Sequence, residues 1–145
     1  MGPVRDDVVP ALERLPLFAG FDRKELTRLA ERFDEQSFLP EHGVLTEGMT
    51  GMEFFIILDG TAEVIHDGTV IATLKPGDFF GEVAVLDGGP RTASVRALDR
   101  LRTLGLPNGT FRQLLLDYPL MAVNLLPQVI RRFRAVMTTA KGSHS

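Results

Sequence analysis

The sequence predicts an α+β, mainly β domain: a double-stranded β-helix or jelly-roll barrel flanked by N-terminal helices and two C-terminal helices. The barrel is predicted by short runs of β-branched and aromatic residues, which turn pairs such as Asp59-Gly60 and Asp67-Gly68 separate. Many short strands without long crossovers are typical of closed barrels and jelly rolls. The helices are predicted because apolar residues return at helical spacing on both sides of this region.

The N-terminal region, 1–34, is predicted to be helical. In "FDRKELTRLAERF" the apolar residues recur at helical spacing: Leu26, Leu29, Ala30 and Phe33. Asp22, with Glu25 three residues later, has the spacing of a capping box at the start of this helix. The preceding "LPLF" predicts a short helix that packs onto the domain.

The barrel is expected to occupy 35–107, as antiparallel strands with one buried face. Ala62 and Val64 alternate with more polar neighbours, Thr61 and Glu63. The next strand repeats the alternation, with Val70, Ala72 and Leu74 on the face predicted to be buried.

Two helices are predicted in the C-terminal region, 108–140. Asn108 is placed to cap a helix through "TFRQLLLDY", and Pro119 ends that helix. A longer helix follows, with Pro127 as its expected kink. One apolar stripe runs along it: Leu126, Val129, Ile130, Phe133 and Met137.

Composition limits what the chain can do. With 145 residues, 44% hydrophobic and 24% charged, it can build one core, so we expect a single domain over 1–140 and a disordered tail at 141–145. The chain has no cysteine, no apolar run as long as a membrane span and no secretory signal, which favours a cytoplasmic protein that makes no membrane contact. A net charge of −3 argues against nucleic-acid binding by the chain itself, and the excess of basic residues after 108 is interpreted as a solvated helix face.

The stretch "FGEVAVLDGGPRTASV", residues 80–95, has the chemistry of a site for a ribose joined to a phosphate. Gly81 permits close backbone approach, and the short apolar run after it can form a helical turn whose free N–H groups point at an anion. Arg91, behind Pro90, offers a permanently charged forked donor for phosphate. Glu82 would repel a phosphate, so sugar hydroxyls are its natural partner.

These residues, in this order and spacing, resemble the phosphate-binding cassette of the cyclic nucleotide-binding domain family, the type found in CAP and in protein kinase A regulatory subunits. The family's motif runs FGE, a short apolar helix, then PRTASV or PRSATV, and the resemblance extends through "LPLF" and "GVLTEGMTGMEFFIILDGTAEV" to the terminal helices. It implies that Gly81 and Glu82 meet the ribose and that Arg91 pairs with the cyclic phosphate. The full ligand-binding set it implies is Phe80, Gly81, Glu82, Val83, Ala84, Arg91, Thr92 and Ala93.

In the resembling family the terminal helix closes over the purine. The candidate lid contacts here are Arg131, Arg132, Arg134 and Met137, although core packing explains Met137 equally well. The resemblance therefore implies a regulatory sensor that signals through its C-terminal helix, with cAMP preferred and cGMP as the alternative, since Thr92 permits either. The output is expected from a protein partner or a fused domain, and a homodimer is a further option.

One departure from the family pattern keeps a second hypothesis open. Where the family often has an acidic residue two positions before the aromatic pair of its third strand, this chain has Met52, with Glu53 beside it. Arg91 would then lack a supporting carboxylate. The alternative is a degenerate member that does not bind a nucleotide and serves as a protein-interaction domain.

An enzyme is the third hypothesis, and the sequence argues against it. The chain has three scattered histidines, His42, His66 and His144, which are too few and too far apart for a three-histidine metal site. It contains neither a G-x-S-x-G elbow nor a P-loop, and Ser94 has no histidine nearby in sequence. We therefore predict no catalytic residues, no metal and no cofactor.

Overall fold

The structure is a computed structural model and describes residues 8–45, 53–81 and 93–142. The described N-terminal part contains helix α1 (Val8–Glu13), a 3-10 helix (Pro16–Phe18) and helix α2 (Arg23–Ala30). The predicted capping box is confirmed, since the Asp22 carboxylate accepts from the Glu25 amide at 2.8 Å and the Glu25 side chain accepts from the Asp22 amide at 3.2 Å. Helix α2 ends at Ala30. Phe33, which the spacing places on the same helix, is buried but belongs to the segment that follows the helix.

Two antiparallel sheets form the middle of the molecule. The first sheet contains β1 (Asp34–Phe38), β8 (Leu101–Pro107), β3 (Glu53–Asp59) and β6 (Phe79–Phe80), in that order. The second contains β2 (Gly43–Leu45), β7 (Ser94–Ala97), β4 (Ala62–His66) and β5 (Thr69–Leu74). Apart from the β4–β5 hairpin, neighbouring strands in each sheet are not consecutive in the chain, as in a jelly roll. The predicted fold class, a mainly β barrel with flanking helices, is confirmed.

The first sheet is buried on both of its faces, which gives the molecule two cores. Phe54, Ile56 and Leu104 face the helices and form what we call the outer core, together with α1, α2 and the C-terminal helices. Phe55 and Leu101 face the second sheet and form the interior core. Because successive side chains of a strand point to opposite faces, the uninterrupted apolar run of β3 serves both cores.

Strand β5 departs from the predicted alternation. Leu74 is buried, but Val70 is 51% exposed and Ala72 is exposed as well. Among the described strands it lies at the edge of the second sheet and pairs with β4 alone, and Leu74 is its one residue in the interior core. The prediction of a buried face through Val70 and Ala72 is therefore wrong.

Two helices complete the described chain, α3 (Asn108–Asp117) and α4 (Pro119–Gly142). Asn108 already belongs to α3 and Pro107 occupies the capping position, so the predicted Asn108 cap is wrong by one residue. The predicted break at Pro119 is confirmed, because Pro119 begins α4. The helix continues through Pro127.

The apolar stripe predicted on α4 is mostly exposed. Val129 is half-buried against the outer core, whereas Leu126, Ile130, Phe133 and Met137 are all at least half exposed. The buried side of α4 is formed instead by Met121 and Leu125. None of the helices in the described ranges has the length and apolar character needed to cross a membrane. The division into a domain at 1–140 and a tail at 141–145 stays a prediction; the helix reaches Gly142, and 143–145 lie outside the described residues.

Candidate functional site

The predicted cassette, 80–95, is described only at its two ends. Phe80, Gly81 and Ala93 are described, whereas Glu82, Val83, Ala84, Arg91 and Thr92 lie outside the described residues. The ends belong to different sheets, because Phe80 closes β6 of the first sheet and Ala93 directly precedes β7 of the second. The stretch that carries the predicted chemistry therefore links the two sheets.

The first end of the cassette is fixed by aromatic packing. Phe80 is buried in the interior core and stacks on Phe55, with ring centroids 5.0 Å apart and planes 18° from parallel. Gly81 follows with a φ of +88°, in the region that residues with a side chain rarely adopt. Gly81 thus has a backbone conformation that favours glycine directly after a buried strand residue, which gives a physical reason for the FG pair of the motif.

The second end of the cassette is fixed by strand pairing. Val95, two residues after Ala93, is buried and lies opposite Val64 of β4. The next residue, Arg96, forms an ion pair with Glu63 and lies 3.7 Å from Glu41. The hydrogen bond and the charge of Glu63 raise the pKa of Arg96 further above its usual value. Arg96 is thus engaged by carboxylates of the second sheet and is not a free cation for a ligand phosphate.

A polar pair that the sequence analysis missed lies on the interior face of the first sheet. The Gln36 amide on β1 donates to the Glu53 carboxylate on β3 at 2.9 Å, and both side chains are half-buried. The strand between them has Gly105, where an added Cβ would lie 3.1 Å from the Gln36 amide nitrogen and 3.3 Å from the Glu53 carboxylate oxygen. The available signal was the alternation of β3, which places Glu53 on the same face as Phe55. Met52 lies outside the described residues.

Helix α4 contacts the strand that carries the first end of the cassette. The Arg132 guanidinium lies over the ring of Phe79, 4.2 Å from its centroid, a cation–π arrangement. Phe79 is buried in the outer core and directly precedes Phe80. Of the four predicted lid residues, Arg132 is half-buried, while Arg131, Arg134 and Met137 are exposed. Neighbouring residues of β6 therefore face the helix on one side and the interior core on the other.

The first half of α4 is anchored to the N-terminal helices. Asn124 donates from its amide to two backbone carbonyl oxygens, those of Leu17 at 3.0 Å and Ala19 at 2.9 Å. Met121 and Leu125, on the same side, are buried in the outer core. Sequence analysis missed Asn124, since nothing in the local pattern shows that its partners lie more than a hundred residues earlier in the chain. Helix α4 is thus held firmly at one end and by Arg132 nearer the other.

No group of three or more histidine or acidic side chains in the described ranges is arranged to hold a metal ion.

Aromatic contacts in the outer core connect β6 to the C-terminal helices. Phe79 packs against Phe54 with ring centroids 5.6 Å apart, and Phe54 stacks on Phe111 of α3 at 4.2 Å. A displacement of β6 would therefore change the packing of both C-terminal helices, α3 through Phe111 and α4 through Arg132.

Comparisons with known proteins agree with this geometry. A family model described as the cyclic nucleotide-binding domain matches residues 35–118. A cAMP-dependent protein kinase regulatory subunit from Yarrowia lipolytica is 39% identical over 106 residues, which are 72% of this chain and 28% of that protein.

Solved structures have the same fold. The cAMP-bound structure of a protein named PfPKA-R gives a TM-score of 0.81 at 27% identity, covering 91% of this chain and 46% of that one. The catabolite activator protein of Thermus thermophilus gives a TM-score of 0.79 at 27% identity, covering 87% of this chain and 62% of that one. The chain therefore spans only part of the proteins that it resembles.

Proposed function

Because this chain belongs to the cyclic nucleotide-binding domain family, we propose that it binds cAMP in preference to cGMP and transmits binding through a movement of α4. The chain is a cyclic nucleotide-binding regulatory domain, and the similar proteins include a kinase regulatory subunit and a catabolite activator protein. The nucleotide preference, the contact residues and the moving helix are our proposals.

The proposed site is the cassette between β6 and β7. Gly81 and Glu82 hold the ribose hydroxyls, Arg91 holds the cyclic phosphate, and backbone amides around Val83, Ala84, Thr92 and Ala93 complete the phosphate site. Support comes from the first end of the cassette, where Phe80 is stacked and buried and Gly81 has a positive φ. A site of this kind needs rigid flanks. If the contact groups are loosely held, the entropy lost in ordering them on binding reduces the affinity for the ligand.

The observation that carries the signalling proposal is the contact of Arg132 with Phe79. Phe79 and Phe80 are adjacent in β6, and they face α4 and the interior core respectively. A ligand that shifts the cassette therefore acts on a strand that α4 already contacts. Coupling requires that the bound and free states differ in such contacts, since a ligand shifts an equilibrium only through differential affinity.

The preference for cAMP is supported by the similar proteins, one named as a cAMP-dependent kinase subunit and one solved with cAMP. Within the cassette, Thr92 is the residue through which cGMP could be favoured, because a hydroxyl can accept from the guanine amino group. The element that α4 acts on is proposed to be a protein partner or another part of a longer protein.

Titration calorimetry with cAMP and cGMP tests the function directly. We expect heat with both nucleotides and tighter binding of cAMP. Arg91→Ala should lose roughly 2 to 5 kcal/mol of affinity while the fold survives, because a charge-assisted phosphate contact is removed. Arg100→Ala is the matched control, since Arg100 is exposed between β7 and β8, and it should bind as the parent does.

Three results would count against the proposal. No heat with either nucleotide would favour a degenerate interaction domain. Unchanged affinity in Arg91→Ala would remove the cassette assignment. Tighter binding of cGMP, reversed by Thr92→Ala, would show that Thr92 selects the nucleotide and that the preference for cAMP is wrong.

A further inference from the structure

A polar pair lies on the interior face of the first sheet, beside an apolar core. The Gln36 amide on β1 donates to the Glu53 carboxylate on β3 at 2.9 Å, and both side chains are half-buried. The neighbouring interior core is built from apolar side chains, Phe55 and Leu101 among them. A carboxylate partly removed from water is unfavourable unless hydrogen bonds and an opposite charge compensate for its lost hydration. Gln36 supplies a hydrogen bond but no charge.

The Glu53 carboxylate lies at the end of the sheet from which the cassette starts. In the antiparallel pairing of β3 with β6, Phe55 lies opposite Phe80. Glu53 precedes Phe55 by two residues and Gly81 follows Phe80, so both lie beyond this pair in the same direction. Side chains two residues apart on a strand share a face, which places Glu53 on the interior side with Phe55. The carboxylate is therefore beside the first end of the cassette.

Two arginines of the sheets are engaged by other carboxylates. Arg96 on β7 pairs with Glu63, and Arg102 on β8 pairs with Glu35. The cassette itself contains one basic residue, Arg91. The cassette therefore offers a single cation to a carboxylate that lies beside its first end.

We propose that Glu53 holds Arg91 in the orientation in which it binds the cyclic phosphate, and that Gln36 holds Glu53 in turn. The inference rests on the proposed function, because it takes Arg91 as the phosphate-binding group. A guanidinium has several N–H donors in a planar fork, so it can bind a carboxylate on one side and a phosphate on the other. Glu53 is then a positioning residue, which acts on the ligand through Arg91.

The proposal changes the meaning of the departure at Met52. The supporting carboxylate is shifted by one residue, from the position of Met52 into the first residue of β3. Since the strand fixes the backbone of Glu53 and Gln36 binds its side chain, the carboxylate is held from two sides. The chain therefore keeps the support that a phosphate-binding arginine needs, and Met52 does not mark a degenerate site.

Gly105 leaves the space in which the pair forms. It lies on β8, between β1 and β3, and an added Cβ would be 3.1 Å from the Gln36 amide nitrogen and 3.3 Å from the Glu53 carboxylate oxygen. Both distances are shorter than ordinary van der Waals contacts. Gly105→Ala would therefore displace the pair without removing a charge.

Calorimetric titration of the full chain with cAMP is the first test. Glu53→Gln keeps the shape of the side chain and removes its charge, and we expect it to weaken cAMP binding about tenfold, as the loss of a supporting partner does at metal sites. Gly105→Ala should weaken binding as well. Glu35→Gln is the matched control, since Glu35 is a half-buried glutamate of the same sheet that lies opposite Leu104 on the side of the outer core. It should bind cAMP as the parent does, and circular dichroism establishes that each variant is folded.

A rescue experiment separates positioning from a merely structural role. Met52→Asp combined with Glu53→Gln returns a carboxylate to the position where the family often has one, and it should recover most of the lost affinity. Met52→Asn combined with Glu53→Gln is its uncharged control and should recover none. Equal affinities of the two combinations would overturn the role of the charge.

Urea denaturation without nucleotide tests the pair independently of binding. Glu53→Gln should lower the urea midpoint of the parent, because the guanidinium loses its partner. In Arg91→Ala the same substitution should leave the midpoint unchanged or raise it, because the carboxylate there has already lost its partner. An equal decrease in both backgrounds would show that Glu53 and Arg91 do not interact, and it would overturn the inference.

The two measurements distinguish the failure of this inference from that of the proposed function. If Arg91→Ala loses cAMP affinity while Glu53→Gln binds as tightly as the parent, the proposed function stands and the positioning role of Glu53 is wrong. If the parent gives no heat with cAMP or cGMP, the proposed function is wrong, and the urea midpoints still decide whether Glu53 holds Arg91.

Discussion

Gly81 directly follows the buried strand β6, near the start of the predicted cassette. Its φ of +88° follows directly on a phenylalanine that is stacked and buried. A residue with a Cβ pays roughly 1–2 kcal/mol for this backbone conformation. A substitution at Gly81 would therefore destabilise the backbone directly after the stacked Phe80.

The first prediction compares two glycines with similar backbones. Gly81→Ala and Gly68→Ala should each lose about 1–2 kcal/mol of stability, since the φ of Gly68 is +78° and an added Cβ there has nothing within 4 Å. Only Gly81→Ala should weaken cAMP binding, because Gly68 lies in the turn between β4 and β5. Chemical denaturation and calorimetry give the two quantities. Equal loss of affinity in both variants would mean that general destabilisation, and not the cassette turn, is responsible.

Sequence reasoning at the residue scale succeeded where the cause is local. The box formed by Asp22 and Glu25 was predicted because both partners lie within one helical turn. The pair of Gln36 and Glu53 was missed because its distance depends on a third strand, and on the absence of a side chain at Gly105. Glu82 and Arg91, which carry the proposed ligand chemistry, were identified from their residue types and spacing and from the resemblance to a family motif, and they stay predictions.

At the scale of elements, α4 is attached to the rest of the domain near its start. Asn124 there donates from its side-chain amide to the backbone carbonyls of Leu17 and Ala19. Those carbonyls flank the end of the 3-10 helix, so the contact ties the longest described helix to the N-terminal region. Any movement of the later part of α4 is then a movement relative to this attachment.

The second prediction concerns the hydrogen bonds of Asn124 and asks whether Asn124→Ala lowers or raises the stability of the protein. Alanine is a better helix former than asparagine, so Asn124→Ala would stabilise the protein if helix propensity alone counted. We expect instead a loss of about 1–3 kcal/mol, because two carbonyl groups lose their donor. Asn124→Asp should lose more, since its carboxylate would face those carbonyls. Urea denaturation of both variants provides the measurement, and a gain of stability in Asn124→Ala would contradict the structural role.

The predicted elements failed where the neighbours of an element decide its burial. The alternation of β5 was real as a sequence pattern, yet the strand lies at a sheet edge and Val70 is exposed. The apolar stripe of α4 was likewise a correct pattern, but four of its five members face outwards. Periodicity identifies a face of an element, whereas only the position of that element in the fold determines what covers it.

The whole molecule places one sheet between two cores. The first sheet packs on the helices through Phe54 and Phe79 and on the second sheet through Phe55 and Phe80. Close packing transmits small displacements instead of absorbing them, so a change at β6 reaches both sides. This arrangement was predictable in kind from the order of strands and helices, but not the contact of Arg132 with Phe79, which joins residues more than fifty positions apart.

The last prediction concerns the response of the entire domain to cAMP. At about 100 times the dissociation constant, mass action stabilises the bound form by about 2.7 kcal/mol, which raises the melting temperature. Hydrogen exchange should slow in 80–95 and again beyond about 128, because β6 connects the cassette to α4. Arg132→Ala should keep the first protection and lose the second, while Arg131→Ala, an exposed arginine one position earlier, should keep both. Protection confined to 80–95 in the parent would show that α4 does not respond to the nucleotide. If Arg131→Ala lost the protection beyond 128 as Arg132→Ala does, the positive charge of the helix would be responsible, and not the contact with Phe79.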